Sequence, residues 1–238
     1  MLDYVSNVEP YVPFAQDVLL KVDPNLEDGH VVENDPTFKA YVFPCSSASP
    51  PKAPHKKIDA QKTLIPLFKI GLDVAMFDDY RSEIVEHNVT ESSKRCLDLE
   101  VLRAVSMATP TEHTITLSGD VSTSSMNLAF SLIEEHDLTV KNILVHPSRK
   151  RQVFEAIRGK DLDADVYVST MVPHRCVWCL GDPSVVGRLV ESSPIQARYY
   201  EEDIELQTGH MTLNHMVVEG EYGVCVLNGN ATSVIRCY

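Results

Sequence analysis

Two cysteines three positions apart are the first place to look for chemistry. Cys176-Val177-Trp178-Cys179, with His174 close upstream, has the ligand spacing of half a zinc site or of a redox pair. A closed zinc site needs a second pair of ligands, and Cys225 and Cys237 stand far apart in sequence. A redox pair belongs at a helix start after a strand, whereas these thiols follow Pro173 in a strand-like run. The pair is expected to be structural. A cysteine nucleophile would need a histidine base. His146, His174, His210 and His215 are available, but no spacing ties any of them to a thiol. Asp161, Asp163 and Asp165 alternate like a calcium loop without its glycine and distal glutamate, and read as a solvated turn. Asn88-Val89-Thr90 matches a glycosylation acceptor, which matters only for a secreted chain. Gly220, Gly223 and Gly229 are isolated, form no phosphate-binding loop, and suit turns or close strand contacts. No catalytic, cofactor-binding or metal-binding residue is assigned.

The elements that must position these residues alternate strand and helix. Val166 and Val168, with Val172 beyond them, are expected on one strand face, and Asp165, Tyr167 and Ser169 on the other. Phe77 to Met107 predicts a long helix, weakly amphipathic in its first half. Its second half carries a stripe of Leu97, Val101, Ala104, Val105 and Ala108, and Thr109-Pro110 ends it. Ile115 to Leu117 is a short strand. Ser122 to Ser125 offer N-caps for a helix whose buried face is Met126, Ala129, Phe130 and Ile133. Val140 to Val145 is a strand. Pro147 opens a helix with Val153, Phe154 and Ile157 that stops at Gly159. Ile195 to Ile204 and His210 to Asn228 are further strand candidates.

The N-terminal part is less regular. Met1 to Gly29, punctuated by Pro10, Pro13 and Pro24, is expected to lie across something rather than to form a core. Phe38 to Phe43 and Ile58 to Ile70 look like two strand regions. The Pro- and Ser-rich loop between them, Phe43 to Ile58, has no core of its own.

Bulk properties narrow the function classes. The chain has 238 residues, 44% of them hydrophobic, enough for a substantial core. No apolar run is long enough to cross a membrane, and Met1-Leu2-Asp3-Tyr4 does not open like a secretory signal. The 6 scattered cysteines are therefore expected to be reduced thiols in a chain made in the cytosol. A net charge of −13 argues against affinity by phosphate neutralisation, and so against a DNA-binding regulator. It is compatible with a wall around DNA, since like charge keeps the two from sticking.

The order of certain stretches carries a resemblance. Pro66 to Ile70, Tyr80 to Ile84, His113 to Gly119, Asn142 to Pro147, Leu180-Gly181-Asp182-Pro183 and Glu219-Gly220-Glu221-Tyr222-Gly223 occur in an order that resembles the major capsid proteins of tailed phages. That family has the Hong Kong 97-like fold, and the matches run from about Pro66 to Arg236. The resemblance implies an α+β chain with an N-terminal arm (1–29), an extended two-stranded loop (30–69) and a peripheral domain built on a spine helix (70–119). A compact axial domain (120–193) and return strands with a C-terminal segment (194–238) would follow. It implies self-assembly into pentamers and hexamers of an icosahedral shell. That shell would enclose double-stranded DNA without sequence-specific contact, with scaffold, portal and decoration proteins as further partners, and no membrane. The implied place is the virion, with assembly in the host cytoplasm, and no enzymatic role. The chain is short for the family and shows no N-terminal heptads for a scaffold. Two alternatives stand beside this: an encapsulin-like shell holding a cargo protein, and a soluble thiol or metal enzyme using Cys176 and Cys179.

Overall fold

The computed structural model describes residues 12–22, 30–33, 61–65, 67–76, 82–160, 162–206 and 209–238. The loop from Phe43 to Ile58, the strand expected at Phe38 to Phe43, and the helix start at Phe77 to Arg81 lie outside the described residues. In chain order the first elements are α1 (Ala15–Val18), β1 (Leu20–Val22), β2 (His30–Glu33), β3 (Gln61–Leu64), β4 (Leu67–Met76), α2 (Ser82–Ala108) and β5 (Thr114–Leu117). Then come α3 (Thr123–Glu134), β6 (Asn142–Val145), α4 (Lys150–Ile157), β7 (Asp165–Val168) and β8 (Cys176–Leu180). The last are α5 (Pro183–Val186), β9 (Gly187–Leu206), β10 (Gly209–Val226) and β11 (Thr232–Cys237).

Five short strands form one sheet in the order β5-β11-β8-β6-β7. Its strands read as nearly continuous apolar runs because both faces are covered. Alternation sorts the side chains. Ile143, Val145, Val177, Cys179, Ile235 and Cys237 pack with α3 and α4, while Leu144, Trp178, Leu180 and Val234 pack with α2. α3 begins as its sequence dictates. Ser122 and Ser125 form a reciprocal capping box, and Met126, Ala129, Phe130 and Ile133 are buried. α4 follows a 3-10 turn at Pro147–Arg149, and the chain leaves it through Gly159, whose φ is 78°. Phe154 corrects the expected apolar face: Val153 is buried, but Phe154 is 45% exposed. Val172 is a second correction. It lies beyond the end of β7 and joins the α2 side, whereas Val166 and Val168 pack on the opposite side.

Four strands form a second sheet in the order β1-β9-β10-β4. β9 and β10 are one long antiparallel hairpin, about 60 Å of strand on each side, with a register irregularity between Glu219 and Tyr222. β4 pairs with β10 from Leu67↔Gly223 to Met76↔Asn214, so residues 209–213 pair with β9 alone. The expected strand at Ile58 to Ile70 divides in two. β3 pairs antiparallel with β2, as a two-stranded ribbon, whereas β4 joins the hairpin and crosses the expected division at 69/70.

α2 links the sheets. Its 27 residues span roughly 40 Å. Leu97, Val101, Leu102 and Val105 pack on the five-stranded sheet, and Val89 packs with Val74, Ile195, Ala197, Met216 and Val218 of the hairpin sheet. At its C-terminal end Gly229 comes so close that a Cβ there would sit 2.2 Å from the Ala108 carbonyl oxygen.

Residues 12–22 correct the expectation that the N-terminal stretch forms no core. Phe14, Val18 and Leu19 are fully buried among α2, β9 and the five-stranded sheet. The cause is Asp98, a buried carboxylate on α2. Its Oδ1 accepts from the backbone N–H groups of Phe14 at 3.1 Å and Ala15 at 2.8 Å. These are donors at the start of α1 that would otherwise be orphaned. β1 then pairs in parallel with β9, and Lys21 Nζ reaches Glu191 Oε1 at 2.6 Å.

Candidate functional site

The thiol chemistry weighed from the sequence is not assembled. Cys176 and Cys179 lie three apart on β8, and side chains on a strand alternate, so the sulfurs face opposite sides of the sheet. Cys176 packs against the α2 side and Cys179 within the α3–α4 side. Complete burial pushes the Cys179 thiol up to about 12, and burial also raises Cys176. Neither is poised as a thiolate near neutral pH. Cys237 is buried beside Cys179's neighbours, and Cys225 packs with Ile65 and Val190 near the hairpin base.

The histidines are spread over the molecule. His146 caps the 3-10 turn before α4, its Nδ1 accepting from the Ser148 N–H at 3.1 Å. Its ring lies edge-on to His174 at 6.3 Å between centroids. Burial, then the nearby His174, lowers its pKa from the usual imidazole value. His210 is on β10, next to the hairpin turn. His215 takes part in a clasp across three strands. Its Nδ1 lies 3.0 Å from Asp73 Oδ1 on β4, and its Nε2 lies 3.0 Å from Glu202 Oε2 on β9. Tyr200 stacks on the imidazole at 4.7 Å and donates its hydroxyl to Asp73 Oδ2 at 2.9 Å. The two carboxylates approach opposite ring nitrogens, so the three side chains do not converge on a common centre. Asp163 is an exposed partner of Lys141, and Asp165 opens β7; Asp161 lies outside the described residues. Among the described residues no group of three or more histidine, cysteine and acidic side chains is placed to hold a metal.

What the fold does offer is surface. Among the described residues α2 packs on one face of the hairpin sheet. On that side Val74, Met216 and Val218 are packed and Tyr199 donates to Glu86 of α2. By strand alternation Lys69, Asp73, Arg198, Tyr200 and His215 occupy the opposite face. The edge strand β4 exposes Leu72 by 51%. Sequence reasoning missed Asp98 and the His215 clasp. Asp98 had a readable signal, because it stands with Val101, Leu102 and Val105 at helical spacing, inside the buried stripe. The clasp had none, since its members come from strands whose register only the fold sets.

A helix spanning two sheets, one of them a long hairpin, is an arrangement with close likenesses among solved structures. A chain from Mycobacterium phage Cain superposes with a TM-score of 0.70 at 12% identity, covering 100% of this chain and 94% of that one. The capsid structure of the cyanophage P-SCSP1u gives 0.64 at 11% identity, covering 100% and 93%. The SrpI encapsulin complex of Synechococcus elongatus gives 0.59 at 11%, covering 99% and 90%. No protein-family model and no curated protein matches the sequence. The fold is therefore the mixed helix-and-sheet capsid fold that the order of the sequence stretches implied.

Proposed function

We propose that this chain is the major capsid protein of a tailed phage. It assembles into pentamers and hexamers of an icosahedral head around double-stranded DNA. The observation that carries this is the extent of the likeness: it takes in 100% of this chain and 93% of the cyanophage capsid chain, rather than one shared domain. In this reading residues 1–29 are the arm, 30–69 the extended loop, 70–119 the peripheral domain, 120–193 the axial domain and 194–238 the return strands. The loop from Phe43 to Ile58 docks on a neighbouring subunit. Scaffold, portal and decoration proteins are further partners, assembly takes place in the host cytoplasm, and the DNA is enclosed without being read. Electron microscopy of the expressed protein tests it, with rings or closed shells expected. Sedimentation of only a compact monomer at high concentration, with or without a scaffold, would overturn it.

The likeness to an encapsulin complex supports a second reading, a shell around a protein cargo. Nucleic acid inside purified particles favours the phage head; a co-purifying protein in its place favours the compartment.

A further inference from the structure

The five-stranded sheet gathers positive charge at one end. β6 and β8 are antiparallel neighbours, so the loop after β6 and the loop before β8 meet. Arg149 joins them: its Nε donates to the His174 carbonyl at 3.3 Å, and its Nη1 donates to Asp120 Oδ1 at 3.1 Å. Cys237 N–H donates to the Arg175 carbonyl at 2.8 Å, and Arg236 is the register partner of Cys176 on β8. Three arginines from distant parts of the chain thus share one end of the sheet: Arg236 stands with Cys176 on the α2 side, while Lys150 and Arg151 open α4 on the opposite side. Asp120 pairs with Arg149, and Glu155 with Arg151 at 2.8 Å. Arg175 and Arg236 have no carboxylate within ion-pair distance among the described residues. Arg175 is exposed and Arg236 half-buried. A chain with a net charge of −13 gives no hint of such a surface from composition.

We propose that this cationic end is a docking surface for a carboxylate-bearing surface on a second copy of the chain, an inference that rests on the shell reading above. Copies that are each strongly acidic repel one another unless a concentrated cationic surface meets carboxylates on the next. Arginine suits that contact, since its planar fork matches a carboxylate with two hydrogen bonds. A cationic patch is repelled by its own copy, so it meets a different surface of its neighbour. A head-to-tail arrangement of such contacts is one that closes rings.

The test is Arg175→Glu with Arg236→Glu in the full chain, compared with Arg175→Lys and Arg236→Lys. Assembly is followed by sedimentation and microscopy at low salt, and folding by thermal unfolding of the free subunit. The glutamate pair is expected to raise the concentration needed for assembly about tenfold or more, and the lysine pair far less. If the half-buried Arg236→Glu disturbs folding, Arg175→Glu alone carries the test with the same expected direction. Assembly of the glutamate variant at the wild-type concentration overturns the proposal. So do normal particles that have lost bound nucleic acid, since the patch would then serve phosphate. A wild type that never assembles overturns the shell reading and this proposal together. A wild type and variant that assemble equally well overturn this proposal alone.

Discussion

The two sheets share α2 but bury themselves differently. The five-stranded sheet has α3 and α4 on one face and α2 on the other, and residues as close as Ile143, Leu144 and Val145 serve opposite cores. Among the described residues the hairpin sheet packs against α2 on one face; on its other face Val190 and Ile65 are buried at the base, while Tyr200 further along and Leu72 at the β4 edge are exposed. One region can complete itself within a single chain. The other presents long strands with unpaired edge groups, a form that invites pairing or coverage. The difference marks which region is closed by its own chain and which is left open among the described residues.

The sharpest way to break that comparison is to make the same deletion in both sheets. Leu144→Ala, fully buried, is expected to lower unfolding free energy by about 3 kcal/mol in denaturant titration. Leu72→Ala, on the open edge, is expected to stay within about 0.5 kcal/mol in the free subunit. Similar losses at the two sites would show that the edge is already covered within one chain.

Asp98→Ala tests the pin between α2 and the N-terminal stretch. Two buried N–H donors would lose a charged acceptor, at a cost of about 2–3 kcal/mol. Hydrogen exchange at residues 14–18 should accelerate more than exchange in α3. Uniform acceleration would mean that the stretch is no separate unit.

Much of the five-stranded region was legible in sequence because its signals are local. Ser122 caps three residues away, Met126 to Ile133 repeat at helical spacing, and Pro147 and Gly159 bracket a helix. Phe14 was not legible as core, because its partner Asp98 lies 84 residues away. The hairpin was read too short. Its first strand was expected from Ile195 but begins at Gly187, where β10 and then β1 pair with it. The cysteine pair could have been resolved outright: on a strand, a spacing of three separates the side chains to opposite faces. Phe154 misled because helical spacing alone does not say which face a short helix buries.

Gly229→Ala is a smaller perturbation at the passage from β10 to β11. The added methyl meets the Ala108 carbonyl, and the loss should be about 1–2 kcal/mol in thermal or denaturant unfolding. A neutral result would show that the passage gives way and does not fix the two sheets to α2.

The smallest expected effect is on the hairpin face opposite α2. Asp73 is held below the usual carboxylate value by its hydrogen bond from His215, then by that from Tyr200. Its contribution is therefore present above the unfolded carboxylate pKa and is lost as pH falls through the lower folded value. Acidification through that range should loosen β4 from β10, seen as faster exchange at residues 73–76, while α3 is unaffected. Asp73→Asn should flatten the response. Equal pH dependence in the variant would assign it elsewhere.

The position of β11 bears on how the chain is made. It lies between β5 and β8, pairing with one in parallel and with the other antiparallel. A ribosome must therefore release residues 232–237 before β5 can be joined to the rest of its sheet. Until then the apolar face of α3 has only part of its floor. Contacts between Ile115 and Ile235 close a loop of more than a hundred residues, a slow kind of step. Until translation has passed this strand the nascent sheet stays open, and chaperones would find their substrate in that interval.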